Sequence, residues 1–124
     1  MKRTKLRRYG KSARAKLIRQ NDILWSKNIR TRDKLCRKCK RAKATQAAHF
    51  FSRNNYSVRW DLRNGWGADF YCHILWAHRN PLEFSEWAKE ELGKDYGLLR
   101  KKARGLSHYS LKDLEGIRKD LENG

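Results

Sequence analysis

The sequence has no run of 18 apolar residues, so no membrane-spanning helix is expected. Its basic N-terminus lacks the apolar stretch of a secretory leader, so a leader is not expected either. A lipidation signal and a clear basic amphipathic helix, the features an anionic membrane surface would want, are also missing. No internal repeat is visible. Acidic residues are scarce, with 13 Asp and Glu against 31 Lys and Arg. Cysteines number only three, an odd count, and two of them form a C-x-x-C pair. In a reducing compartment that pattern favours a metal over a disulfide, and the expected location is the cytoplasm.

What is present is positive charge, a formal +18 over 124 residues. A polyanion answers that charge best, because each neutralised phosphate releases a condensed counterion. A membrane surface is the competing reading. The charge is uneven: residues 1–43 hold 18 Lys and Arg against two acids, Asp22 and Asp33, whereas the other 81 residues hold 13 against 11. Residues 1–12 read as a flexible basic arm, either a solvated tail or part of the grip on the polyanion. The length suits one domain with a modest core, the kind that a metal often staples.

Four sections follow along the chain. Residues 11–31 place Leu17, Ile18, Leu24, Trp25 and Ile29 at helical spacing among basic residues, with Trp25 read as core. Asn21 and Asp22 suit a helix interior poorly, so the helix starts near residue 11 or at Asn21 as its cap. Residues 32–71 read as turns and short strands: a knuckle at Cys36-Arg37-Lys38-Cys39, a strand over 45–51, and a Gly-rich loop at Asn64-Gly65-Trp66-Gly67. Residues 72–78 form a short helical segment. A second helix starts with Asn80 as cap, Pro81 in the first position and Glu83 completing a capping box, and it ends at Gly93. Its apolar stripe is Phe84, Trp87, Ala88 and Leu92. Two more helices follow, with Asp95 and Ser110 as caps and Gly105 between them. The last carries Leu111, Leu114, Ile117 and Leu121 as a packing or partner surface.

Zinc takes four ligands in a tetrahedron, usually Cys or His. Cys36 and Cys39 supply two. Some 30 residues on, Asp69-Phe70-Tyr71-Cys72 gives D-x-x-C where a second C-x-x-C would stand. The preferred structural zinc set is Cys36, Cys39, Asp69 and Cys72, with His73 or His78 as rivals for the fourth place. Of the four histidines, His49, His73 and His78 lie near this region and His108 does not. His49 ends the candidate strand, Asn64 sits in the loop, and His73 follows Cys72 directly. That layout can bring two imidazoles together round a divalent cation.

Ala47-Ala48-His49-Phe50-Phe51-Ser52-Arg53, then Arg59-Trp60-Asp61 and Asn64, then Cys72-His73, resemble the phage branch of the HNH (ββα-metal, His-Me finger) nucleases. The NinG (Rap) recombination nucleases are the nearest named group. Asn80-Pro81-Leu82-Glu83-Phe84, Trp87 and Leu92-Gly93 fit the helix that follows in such proteins, so the likeness spans residues 24–103. It implies an α+β fold: a small zinc-stabilised, treble-clef-like ββα-metal core flanked by helices. Residues 13–105 would be the nuclease domain, preceded by the arm at 1–12 and followed by the C-terminal helix at 106–124.

The resemblance also implies roles. His49 would be the general base, Asn64 would orient it by a hydrogen bond, His73 would hold a catalytic Mg²⁺ or Mn²⁺, and Arg53 would contact the scissile phosphate. Zinc would be structural. Two departures stand out: Asp69 replaces a cysteine, and Ala48 occupies the place where many relatives carry a second ligand for the catalytic ion. His78, five residues after His73, is the candidate to replace that ligand, although five is a poor α-helical spacing. Candidate phosphate contacts are Arg37, Lys38, Lys40, Arg41, Arg53 and Arg59.

Two functions therefore remain open. One is a DNA endonuclease, with branched or recombination intermediates among its substrates and a host-cell cytoplasmic location if phage-encoded. The other is a non-catalytic zinc module that binds nucleic acid on the same scaffold. No membrane partner is expected, and a homodimer would account for cutting both strands.

Overall fold

The computed structural model describes residues 2–105 and 108–124, with side chains from residue 12 onward. It is an α+β structure, mostly helical with one small sheet. The order is α1 (Lys2–Asp33), β1 (Gln46–His49), α2 (Tyr56–Arg59), a 3-10 turn (Leu62–Asn64), β2 (Gly65–Ala68), a π-helix (Tyr71–Ala77), α3 (Pro81–Leu92), α4 (Lys94–Ala103) and α5 (Leu111–Asn123). No helix among the described residues is long and apolar enough to cross a membrane.

Helix α1 is the spine. Leu17, Asn21, Trp25 and Ile29 recur every four residues, and all four are buried. Asn21 is therefore an interior residue and not a helix cap. Its Nδ2 donates to the Leu114 carbonyl at 3.1 Å, which ties α1 to α5. Asn28 makes the same kind of link to Leu121, at 2.9 Å. Leu114 and Leu121 pack between these two bonds, against Leu17, Trp25, Ile29 and Trp60. Ser110 caps α5 with a complete capping box closed by Asp113. The arm expected over residues 1–12 falls almost wholly where side chains are not described, and its backbone from Lys2 belongs to α1.

The sheet has two antiparallel strands, with His49 opposite Gly65 and Gln46 opposite Ala68. The Gly-rich stretch expected as loop is thus a strand, and the strand expected over 45–51 is shorter. Glycine is a poor strand former, and its presence here answers a steric demand. A Cβ on Gly65 would collide with Trp25 and would lie 2.7 Å from Ile29 Cδ1; one on Gly67 would lie 2.8 Å from the Ala44 Cβ. Gly65 and Gly67 let β2 lie directly on α1. Trp66 and Ala68 point the other way, into a second core with Cys36, Ala48, Cys72 and Ala77.

The segment after β2 is a π-helix where an ordinary helical segment was expected. Asn80 and Glu83 do not form the expected capping box. Asn80 Nδ2 donates to the Trp76 carbonyl at 2.9 Å, and Glu83 accepts from the Trp76 indole at 3.2 Å. Both side chains thus fasten the π-helix to α3. Gly93, at φ +55°, ends α3 and starts α4 at once, so Asp95 lies inside the first turn of α4 and is not its cap.

Candidate metal centre and histidine cleft

The knuckle is folded by its own backbone. Cys36 N donates to the Ala42 carbonyl at 2.8 Å, and Lys40 N to the Cys36 carbonyl at 2.8 Å. Lys40 takes a left-handed φ of +60° to close the turn. Arg37 N donates to the Gly67 carbonyl at 2.9 Å, which fixes the knuckle to β2. The start of the π-helix then delivers Asp69 and Cys72 to the same point. The Sγ atoms of Cys36, Cys39 and Cys72 and a carboxylate oxygen of Asp69 all lie within 4.8 Å of one another. A tetrahedral zinc about 2.3 Å from each sulfur needs sulfurs roughly 3.8 Å apart. The donor set could therefore hold a metal ion such as zinc. His73 and His78 lie outside it.

The protonation pattern fits a site that wants a cation. Burial pushes the Cys36 and Cys72 thiols up, Cys72 further because Asp69 and Cys36 crowd it. Cys39 moves down, because the backbone N–H groups of Ala42 and Arg41 face its sulfur. Burial opposes charge on Asp69, but hydrogen bonds with the Cys72 and Cys36 thiols outweigh it and hold the carboxyl below its usual range. A dication would replace this shared-proton arrangement with four anionic ligands. Lys38, Lys40 and Arg41, next to the knuckle cysteines in sequence, are exposed.

Against the sheet and α1 lies an open cleft of about 490 Å³, lined by His49, Arg53, His73 and His78 with Asp22 and Trp25 of α1. His49 Nε2 is 2.9 Å from the Arg59 carbonyl oxygen. A carbonyl only accepts, so Nε2 carries the proton and Nδ1 keeps its lone pair. Trp25 lies flat against the ring. Burial holds the His49 pKa below the ordinary imidazole value, so the ring is neutral at pH 7. His73 is set the other way round. Its Nδ1 is 2.8 Å from Gln46 Oε1, which leaves Nε2 as the free ligand atom.

His78 stands beside His73, with ring centroids 4.7 Å apart and planes at 78°. An α-helix would turn residues five apart away from each other. The π-helix wraps one more residue per hydrogen-bonded turn, with His78 N donating to the His73 carbonyl at 3.2 Å, and stacks the two on one face. Ala48 is buried at 2% exposure among the second core and offers no ligand atom.

Asn64 does not touch the imidazole of His49. It is fully buried, accepting from Phe51 N at 2.7 Å and donating to the carbonyls of Phe51 at 3.0 Å and Val58 at 2.9 Å. It pins the loop from Phe51 to Arg59, whose last carbonyl holds His49, so its influence on the ring is indirect. Arg59 is a second correction. Its guanidinium grips both oxygens of Asp22, at 2.9 and 2.7 Å, and is buried, so it is not free for phosphate. Arg37 is half-committed to Glu91 at 3.0 Å. Arg53 is exposed at the cleft.

No known family, curated protein or solved structure matches the chain.

Three site residues escaped the sequence reading. Asp22 holds Arg59 and also accepts from the Trp60 indole at 2.9 Å. Trp25 covers His49, and its Nε1 donates to the Asp61 carbonyl at 3.0 Å. Gln46 sets the tautomer of His73. Only Asp22 left a signal, as one of two acids in the basic third of the chain. Arg59-Trp60-Asp61 is accordingly a structural motif. Burial opposes charge on Asp61, but hydrogen bonds from Arg63 and Lys102 hold its carboxyl well below the usual range.

Proposed function

We propose that the protein is a metal-dependent DNA endonuclease with a ββα-metal (HNH-type) core, built from β1, β2 and the π-helix and stapled by structural zinc on Cys36, Cys39, Asp69 and Cys72. One observation carries the reading: His49 and His73 line one cleft with opposite ring nitrogens tied to fixed acceptors. His49 is left with a free Nδ1 base, His73 with a free Nε2 ligand, and exposed Arg53 is in the same cleft. The overall charge of +18 supports a nucleic-acid substrate.

In this reading His49 Nδ1 takes a proton from water as the water oxygen attacks phosphorus. The P–O bond to the leaving oxygen breaks, and that oxygen is protonated from solvent. Arg53 holds a non-bridging phosphate oxygen through its planar fork. His73 and His78 would hold a Mg²⁺ or Mn²⁺ ion, which supplies charge stabilisation to the phosphoryl group and the leaving oxygen when bound. Trp25 and the Arg59 carbonyl keep the His49 ring from rotating. Asp22 and Asn64 keep the Arg59 carbonyl in place.

Ala48 favours a second reading, a zinc module that binds nucleic acid without cutting it, since two imidazoles alone make a lean site for a hard cation. Nicking of supercoiled plasmid and of a branched DNA junction with Mg²⁺ or Mn²⁺ separates the two. The nuclease reading expects nicking by the parent and none by His49→Ala. Binding without nicking under either ion would establish the second reading instead.

A further inference from the structure

The last turns of α1 carry Lys27, Arg30 and Thr31 at i, i+3 and i+4, which places them on one face, and Lys34 follows the helix with a left-handed φ of +59°. The chain leaving the knuckle comes back against that face. Leu35 pairs with Lys43 in an isolated antiparallel bridge, and Ala44 N donates to the Lys34 carbonyl at 2.8 Å. The result is a pocket of about 260 Å³ lined by Lys27, Arg30, Thr31, Lys34, Lys43 and Ala44. Four cations and a hydroxyl line it, and no carboxylate does.

The lining of the histidine cleft, by contrast, includes the Asp22 carboxylate. Elsewhere Arg32 pairs with Asp33, Arg37 with Glu91, Arg59 with Asp22, and Arg63 and Lys102 with Asp61. Among the described residues, none of the four pocket cations has an acidic partner within ion-pair distance. Like charges gathered in one concavity repel unless an anion joins them. Cations near a helix C-terminus also complement its dipole, but that accounts only for Arg30 and Lys34. Lys27 lies nearly two turns from the end of α1, and Lys43 is outside the helix.

We propose that Lys27, Arg30, Lys34 and Lys43 form a phosphate subsite that grips the backbone of a nucleic-acid strand. The proposal rests on the nucleic-acid reading above, but not on cutting. Asp22, Trp25 and Ser26 of α1 line the cleft. The pocket lies about five residues further along α1 and, at roughly 100° per residue, about 140° round its axis, on a different face of the helix. The subsite would hold a phosphate apart from the one at the cleft. Because Lys43 is placed by the knuckle, the subsite depends on the metal centre for one wall.

The test uses the full chain and a fluorescein-labelled DNA duplex, with no divalent ion and no chelator present, so that binding is read whether or not the protein cuts. The triple variant Lys27→Gln/Lys34→Gln/Lys43→Gln is compared with Lys94→Gln/Lys112→Gln/Lys119→Gln, which removes the same charge from exposed positions elsewhere. Dissociation constants are measured across a range of KCl concentrations. The pocket variant is expected to lower the slope of log K against log salt by about one unit, for the one phosphate no longer gripped. The control should leave the slope nearly unchanged. Equal slopes for the two triples would overturn the subsite and leave only diffuse charge. Loss of binding to phosphatidylglycerol vesicles with duplex binding intact would overturn it in favour of a membrane headgroup. If the parent binds duplex with the expected slope but never nicks, the endonuclease reading fails and the subsite stands.

Discussion

The indole of Trp25 lies on the imidazole of His49 with ring centroids 4.0 Å apart and planes 7° from parallel. Helix α1, the most basic element of the chain, therefore forms one wall of the histidine cleft and is more than an electrostatic handle. The stacked indole removes water from one face of the ring, and that burial is the main reason the His49 pKa is low.

A pH dependence follows from this. In the nuclease reading His49 must be deprotonated to act as the base, so the nicking rate should be flat at pH 7 and above, then fall as pH drops through a value below 6.5. The unfolded chain protonates His49 earlier than the folded one does. Stability should therefore decline as pH falls from the ordinary imidazole range towards the folded value. Replacing Trp25 with leucine exposes the ring and should move the acid limb of the rate profile to higher pH. A limb unchanged in Trp25→Leu would show that stacking does not tune the base.

The metal centre makes a separate prediction. Purified protein should contain one zinc per chain, and Cys36→Ser should lose both the metal and the folded state. Asp69→Cys completes a four-thiolate set, so it should release zinc to a chromophoric chelator more slowly than the parent does. Zinc-free parent protein with an intact circular dichroism spectrum would rule out a structural metal.

Asn64 is better tested by stability than by kinetics. Asn64→Ala leaves the Phe51 N–H and two carbonyls without partners in a buried place. We expect a loss of about 2–4 kcal/mol in urea unfolding. His49→Ala, whose ring is half-buried and makes one hydrogen bond, should lose less. The two substitutions should thus be separable: one abolishes nicking in a stable protein, and the other lowers it by unfolding.

Two glycine replacements should have opposite signs. Gly65→Ala drives a methyl group into Trp25 and Ile29 and should destabilise the protein by about 1–3 kcal/mol. Gly97 lies inside α4 with open space where a Cβ would go, and Gly97→Ala should stabilise by about 0.5–1 kcal/mol. Thermal melts of the two variants read both outcomes.

The cysteine cluster was legible because ligand chemistry restricts residue type and spacing together: C-x-x-C and D-x-x-C each announce one corner of a tetrahedron. The apolar stripes of α3 and α5 were legible for a similar reason, since packing demands a period. Strand β2 was hidden because the contact with α1 selects glycine, and glycine erases the strand signal. The choice between a helix start near residue 11 and one at Asn21 stayed open because the tertiary partner of Asn21, the Leu114 carbonyl, lies 93 positions away. Arg59 read as a phosphate contact because a lone arginine does not reveal its carboxylate. In each case the local rule was overruled by a contact from distant sequence.

The π-helix from Tyr71 to Ala77 has a genetic consequence. Whether His73 and His78 meet depends on how many residues separate them more than on what those residues are. Deleting one residue between them, for instance Leu75, would let the turn relax to α-helical winding and still keep both imidazoles on one face, since residues four apart are neighbours there, whereas inserting one residue would swing His78 away to another face. Point substitutions at Ile74 or Leu75 would leave the pair together. Length variation in this one turn is therefore a means by which related chains could gain or lose the second imidazole in a single step, with every other residue of the cleft unchanged.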